Sequence, residues 1–221
     1  MSNINFSTDR VKYIDKKLDF NLDSMDEKLN KIIHKKDGGL FLLKLPSDNY
    51  CKCNAHSLKY LLENGYQGVY ISFQRPFENV HSWLKYNDIN TSKIKIIDGT
   101  KEKNSKESTD VLECKDLRKF TDKINNALDK IKGDKKFLFI DSITTMTFCR
   151  SDNAADFVSL FLQETIRDGN YDDISFFVNV AEELEKKKLV KQIASHADGI
   201  FDFSYLKGKY SKKAIHTGIC T

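Results

Sequence analysis

Three places in the sequence hold side chains of the types that bind phosphate, bind metal or move protons. The first is Pro46-Ser47-Asp48-Asn49-Tyr50-Cys51-Lys52-Cys53, which follows an apolar run and precedes a helical stretch. Its place and length are those of a phosphate-binding loop of the form G-x-x-x-x-G-K-[ST]. There, two glycines let backbone N–H groups wrap the phosphates while a hydroxyl ligates magnesium. Only Lys52 stands in register. Pro46 has no N–H to donate, Cys51 carries a Cβ where glycine is wanted, and Cys53 offers a thiol, a poor ligand for a hard cation. The second place is Phe137-Leu138-Phe139-Ile140-Asp141-Ser142, an apolar run with a carboxylate at its tip. This is the form of a strand whose acid holds magnesium through water, and a turn or helix-capping aspartate is the competing reading. The third is Cys51, Cys53 and His56, whose spacing lacks a fourth ligand and a second paired knuckle, so it reads as ordinary loop and helix-start residues.

Those residues need a frame to hold them. Ser24 followed three residues later by Glu27 is a capping box, and Met25, Leu29, Ile32 and Ile33 recur on one helix face, so an amphipathic helix ends near Gly38. From there short apolar runs of the kind buried on both faces of a sheet take over: Gly39 to Leu45, Gly68 to Phe73, Lys93 to Ile97, Lys136 to Ile140 and Ile174 to Val180. Helical stretches at about 53–65, 77–87, 115–132 and 152–167 separate them, and a Lys/Glu-rich helix follows at about 181–196. The alternation implies βαβ units and a mostly parallel sheet covered by helices. Two last runs, Gly199 to Tyr205 and Ala214 to Cys220, are joined only by Leu206 to Lys213, too short for a crossover helix, and are expected to form an antiparallel hairpin at the sheet edge. The polar stretch Lys101 to Asp110 reads as a surface loop. The expected organisation is a helical extension over 1–37 and one α/β domain over 38–221. Ligands of an open parallel sheet bind beyond the carboxyl ends of its strands, where Lys52 and Asp141 fall.

Composition narrows the function classes. A chain of 221 residues, 40% hydrophobic, is enough for one sizeable core. The formal charge of +4 is a slight excess of basic side chains, far from the concentrated excess of an obligate nucleic-acid binder. No apolar run approaches the roughly 18 residues that cross a bilayer, and the polar start MSNINFSTDR lacks the apolar core of a signal peptide, so the expected location is the cytoplasm with no membrane association. Five cysteines, an odd number without an export signal, are expected as reduced thiols. The histidines show no spacing of a metal helix or catalytic dyad, and Trp83 with Val80 and Leu84 reads as packing.

Several segments in order resemble the KaiC-like branch of RecA-superfamily ATPases, common in archaea. GYQGVYISFQRP resembles that family's second strand, KIKIIDGT its third, FLFIDSITTM its Walker B strand, and ADGIFDFSY its Ala-Asp-Gly before the late strands. The resemblance spans about residues 38–220 and implies a RecA-like three-layer fold. It also implies that Asp141 and Ser142 are the Walker B pair, and that Gln74 and Arg75 occupy the positions where the family carries glutamates that activate the attacking water. Glutamine cannot accept that proton and arginine keeps its charge, so neither serves as general base.

The leading expectation is therefore a degenerate, non-hydrolysing family member with no catalytic residues, acting as a protein-interaction or regulatory module through a protein partner or self-association. One alternative is a residual nucleotide-binding protein in which Lys52, Cys53, Asp141 and Ser142 hold weakly bound ATP and magnesium without turnover. Another is a nucleic-acid-binding recombination accessory using Lys207, Lys209, Lys212 and Lys213, with Tyr205 and Tyr210 interleaved. A protected sheet edge and a solvated turn are the favoured account of those lysines, since phosphate contacts need a broader basic face, and nucleic acid is the less favoured partner.

Overall fold

The computed structural model describes residues 22–33, 38–100, 117–143, 162, 174–181 and 187–206. In chain order the elements are α1 (Asp23–Ile33), β1 (Gly39–Leu45), α2 (Tyr50–Glu63), β2 (Gln67–Ser72), α3 (Phe77–Tyr86), β3 (Ile94–Asp98), α4 (Leu117–Asp129), β4 (Lys136–Asp141), β5 (Ile174–Ala181), α5 (Lys187–His196) and β6 (Gly199–Asp202). The six strands form one sheet in the order β3-β2-β4-β5-β1-β6, and every pairing is parallel. This is the α/β architecture the alternation of apolar runs predicts. The expected second strand of a hairpin, the helix at about 152–167 and the loop from Lys101 to Asp110 fall outside the described residues. The Gly199 to Tyr205 run is strand only as far as Asp202, and it adds parallel to β1.

Strands buried on both faces need apolar side chains on both, and two cores result. Odd positions of β1, β4 and β5, such as Phe41, Phe139 and Phe177, pack under α1, α2 and α3. Even positions, such as Leu42, Leu138 and Val178, pack with Leu162 and against Ile124 and Leu128 of α4 and Leu189 and Ile193 of α5. The N-terminal helix joins the first core, with Met25 and Leu29 fully buried. Burying each such large side chain stabilises the fold by about 1.5–3 kcal/mol before chain entropy is counted. In that first core the rings of Phe201, Phe41, Phe177, Phe139, Tyr70 and Trp83 follow one another across the sheet at centroid spacings between 5.4 and 6.2 Å.

Glycine is required where β2 meets β4. A Cβ on Gly68 would lie 2.1 Å from the Phe137 carbonyl oxygen, so any side chain there forces the strands apart. Strand β1 begins on Gly39 at φ +133°, a conformation few other residues adopt, with Asp198 accepting a hydrogen bond from the Leu40 N–H at 2.9 Å.

Among the described residues no helix is long and apolar enough to cross a membrane.

Candidate functional site

One step beyond the row of rings, toward the carboxyl ends of the strands, the same face of the sheet turns polar. Ser72 of β2 pairs with Asp98 of β3 on one side and Asp141 of β4 on the other. The β4–β5 register, carried one residue past Ile140–Val178, sets Asn179 beside Asp141. All four side chains are buried. The site also lies near a reversal of the chain: β1 and β5 are neighbours, yet β1 leads to α2 on one face and β5 to α5 on the other. Ligands of open α/β sheets bind at such reversals.

The loop expected to cradle phosphate is closed. Pro46 opens a 3₁₀ turn over Ser47–Asn49 that passes directly into α2 at Tyr50, so the helix starts three residues earlier than the expected 53. With no glycine between Pro46 and Cys53, the stretch takes right-handed helical turns instead of spreading its N–H groups around an anion. Lys52 is exposed on α2. Cys53 points the other way, fully buried in the first core, and burial followed by the nearby Asp48 charge pushes its thiol up to about 12. The two residues are thus not brought together. Cys51 is disulfide-bonded, which corrects the expectation of reduced thiols at that position. His56 pairs with Asp26 of α1 at 2.6 Å, a helix-to-helix tie, and no cluster of metal-binding side chains is found among the described residues.

Asp141 is the centre of the arrangement, and its side chain is fully buried. One oxygen accepts a hydrogen bond from the Tyr50 hydroxyl at 2.6 Å. The other accepts from the Tyr70 hydroxyl and from Arg75 Nη2 at 3.0 Å. Arg75 Nη2 also donates to the Tyr70 oxygen at 3.2 Å, and the guanidinium lies over the Trp83 ring at 4.3 Å. The backbone holds this residue in place, since the Arg75 N–H donates to Ser72 Oγ at 3.0 Å. Burial raises the pKa of both tyrosines, reinforced by the Asp141 charge, so both stay protonated donors. For Arg75, burial pulls downward, and attraction to Tyr70 and Asp141 outweighs it, leaving the guanidinium above its ordinary value. Each hydrogen bond to a charged partner contributes about 1.5–3 kcal/mol.

The rest of the expected site flanks this cluster. Gln74 is exposed and donates through Nε2 to Ser142 Oγ at 3.0 Å, tying the turn after β2 to the tip of β4. Asp98 is committed to the β3 exit, where it accepts from the Phe77 N–H at 2.7 Å and from both the N–H and hydroxyl of Thr100. The side-chain amides of Asn54 and Asn179 are buried without a hydrogen-bond partner among the described residues. Lys207, Lys209, Lys212 and Lys213 lie outside the described residues; Tyr205 is half exposed, its ring under Lys28 Nζ at 4.3 Å.

Magnesium and ATP do not fit this constellation. The oxygens of Asp141 are taken by Tyr50, Tyr70 and Arg75, a proline opens the loop, and the thiol in place of the magnesium hydroxyl faces the core. Sequence reasoning singled out Asp141, Ser142, Gln74 and Arg75, which the fold brings together, and Lys52, which it does not; it missed Tyr50 and Tyr70. A tyrosine inside the loop and an arginine where an acid is expected were the available signals of a carboxylate satisfied from within.

No family model matches the chain, and neither does any curated protein. Solved structures do. The KaiC-like protein PH0186 of the hyperthermophilic archaeon Pyrococcus horikoshii is similar at a TM-score of 0.52 and 13% identity, over 76% of this chain and 72% of that one. The uncharacterized protein PH0321 of the same organism, solved with an unknown peptide, is similar at a TM-score of 0.56 and 12% identity, over 80% and 82% of the two chains. The fold is therefore RecA-like, of the kind found in KaiC-like proteins.

Proposed function

We propose that this chain is a non-hydrolysing RecA/KaiC-like domain that works as a protein-interaction or regulatory module. The observation that carries the proposal is the occupation of Asp141. An arginine at a general-base position and a tyrosine from the phosphate-loop position both bind the carboxylate that would otherwise serve magnesium. Arg75 thus supplies, permanently and from within the chain, the positive charge that an ATPase of this architecture takes from its metal. A guanidinium is charged at every working pH and cannot dissociate, so the site is fixed in one electrostatic state. What remains of the fold is a rigid scaffold with helices on both faces, suited to binding other proteins or further copies of itself.

Calorimetric titration of ATP with magnesium into the chain and into a Lys52→Ala variant, with phosphate release followed in the same samples, tests the reading. The expected result is no binding heat and no phosphate release in either protein. Binding that Lys52→Ala abolishes, or phosphate release that tracks this chain through purification, overturns it.

A further inference from the structure

Among the described residues five buried side-chain polar atoms have no hydrogen-bond partner: both amide atoms of Asn54, both of Asn179, and Arg75 Nε. They are not scattered over the molecule. Arg75 belongs to the Asp141 network, and Asn179 is set by strand register between Leu43 of β1 and, one residue past Val178, Asp141 of β4. On α2 the buried residues Tyr50, Cys53, Asn54, Ser57, Leu58 and Leu61 recur at spacings of three and four, which is one face of a helix. Asn54 therefore faces the sheet about one helical turn, roughly 6 Å, from Tyr50, whose hydroxyl reaches Asp141. Both asparagines are fully buried.

We infer that Asn54 and Asn179 form a hydration site, in which ordered water bridges α2 to β5 beside the carboxylate network. The inference goes beyond the protein-interaction reading and does not rest on it. A carboxamide nitrogen donates and its oxygen accepts, so the four amide atoms ask for a ligand that does both in equal measure. Water donates two hydrogen bonds and accepts two. A cation meets only the amide oxygens and an anion only the nitrogens, and either adds an unpaired charge beside Asp141 and Arg75, which already neutralise each other. The strand neighbours of Asn179 do not take the place of water: Leu43 is apolar, and both oxygens of Asp141 are engaged by Tyr50, Tyr70 and Arg75. One water needs only about 10–15 Å³, so the site demands no open pocket. Buried amides left dry would forfeit a large share of the margin by which a domain is stable. The bridge gives α2 a second polar tie to the sheet, next to the bond between Tyr50 and Asp141.

The test is NMR of the isotope-labelled full chain, reading cross-relaxation between water and the side-chain NH2 groups. Opposite signs of NOE and ROE mark bound water, and equal signs mark proton exchange. Asn54→Leu and Asn179→Leu, close to isosteric, assign the signals, and thermal unfolding is followed for both and for the double variant. The expected result is an opposite-sign water signal at both amides, with the signal at each asparagine lost when the other is replaced. Each single variant is expected to lose roughly 3–10 °C in Tm, because the amide left behind shares its water with no polar partner. The double variant, with neither amide left, is expected to fall no further than the worse single one. No water signal at either amide overturns the proposal. So does a higher Tm in either single variant, which marks dry amides, or two losses that add, which marks amides hydrated separately. A native Tm that shifts between sodium and potassium, or between fluoride and chloride, at equal low concentration points to a bound ion and overturns it as well. Where a variant fails to fold, the signals of the native chain decide alone.

Discussion

Replacing Asp141 with Asn distinguishes a carboxylate held for structure from one held for a metal. In the native arrangement one Asp141 oxygen accepts from Tyr70 and Arg75, and an amide nitrogen at that place has nothing to offer a guanidinium. Arg75, whose side chain is 7% exposed, is left with a buried charge and only the Tyr70 oxygen as acceptor. Breaking one side of a buried ion pair costs about 3–5 kcal/mol, a large part of the roughly 5–15 kcal/mol that stabilises a domain. For a chain of this size the loss corresponds to a fall of roughly 10 °C in Tm. Arg75→Met removes the opposite partner and is expected to cost about as much. The combined variant is the sharper measurement. With Arg75 gone, the oxygen of the introduced amide still accepts from Tyr50 and its nitrogen donates to the Tyr70 oxygen, so only the Tyr70 O–H lacks a partner, at about 1–3 kcal/mol. The double variant should therefore be more stable than either single one, a coupling of several kcal/mol in urea unfolding. An Asp141→Asn cost below about 1 kcal/mol, or two single costs that simply add, would refute the reasoning, because a carboxylate facing a metal site loses little stability when its charge is removed.

Two further outcomes follow from the packing. Cys53 should resist alkylation in the folded chain from neutral to moderately alkaline solution, since its thiolate forms only near pH 12, and should react once the chain is unfolded; peptide mapping by mass spectrometry that finds native Cys53 modified contradicts its burial. Gly68→Ala should lower stability by about 1–3 kcal/mol or more, because the new methyl meets backbone and not a movable side chain; unchanged thermal unfolding would mean that β2 and β4 are not so close.

The strands were legible because each is a contiguous apolar run: Gly39–Leu45 and the start of β5 at Ile174 agree with the pattern to the residue. The β1–β5 pairing was not, since sheet order depends on contacts between residues far apart in the chain, such as Leu43 with Asn179. The same limit hid the centre of the site. Tyr50 and Asp141 are 91 positions apart and Arg75 and Asp141 are 66 apart, so no local spacing announces their meeting. Losses against a motif are visible one residue at a time. A compensating network exists only after folding, so the sequence shows Arg75 as a missing base when its structural meaning is a gained counter-charge. Helix α2 begins early because Ser47, Asp48 and Asn49 continue a 3₁₀ turn into it, where the motif alone suggests an open loop.

The network around Asp141 also constrains which neighbouring sequences remain accessible to this chain. Its members come from the start of α2, from β2, from the turn after β2 and from the tip of β4, so no single substitution dismantles it cleanly. Arg75→Glu by itself sets two carboxylates together in a buried space with no cation between them, and the fold suffers. Glycines placed at Pro46 and Cys51 leave Tyr50 and Arg75 on the carboxylate. Any stepwise rebuilding of this centre therefore passes through unstable intermediates, whereas substitutions at the exposed surface meet no such barrier.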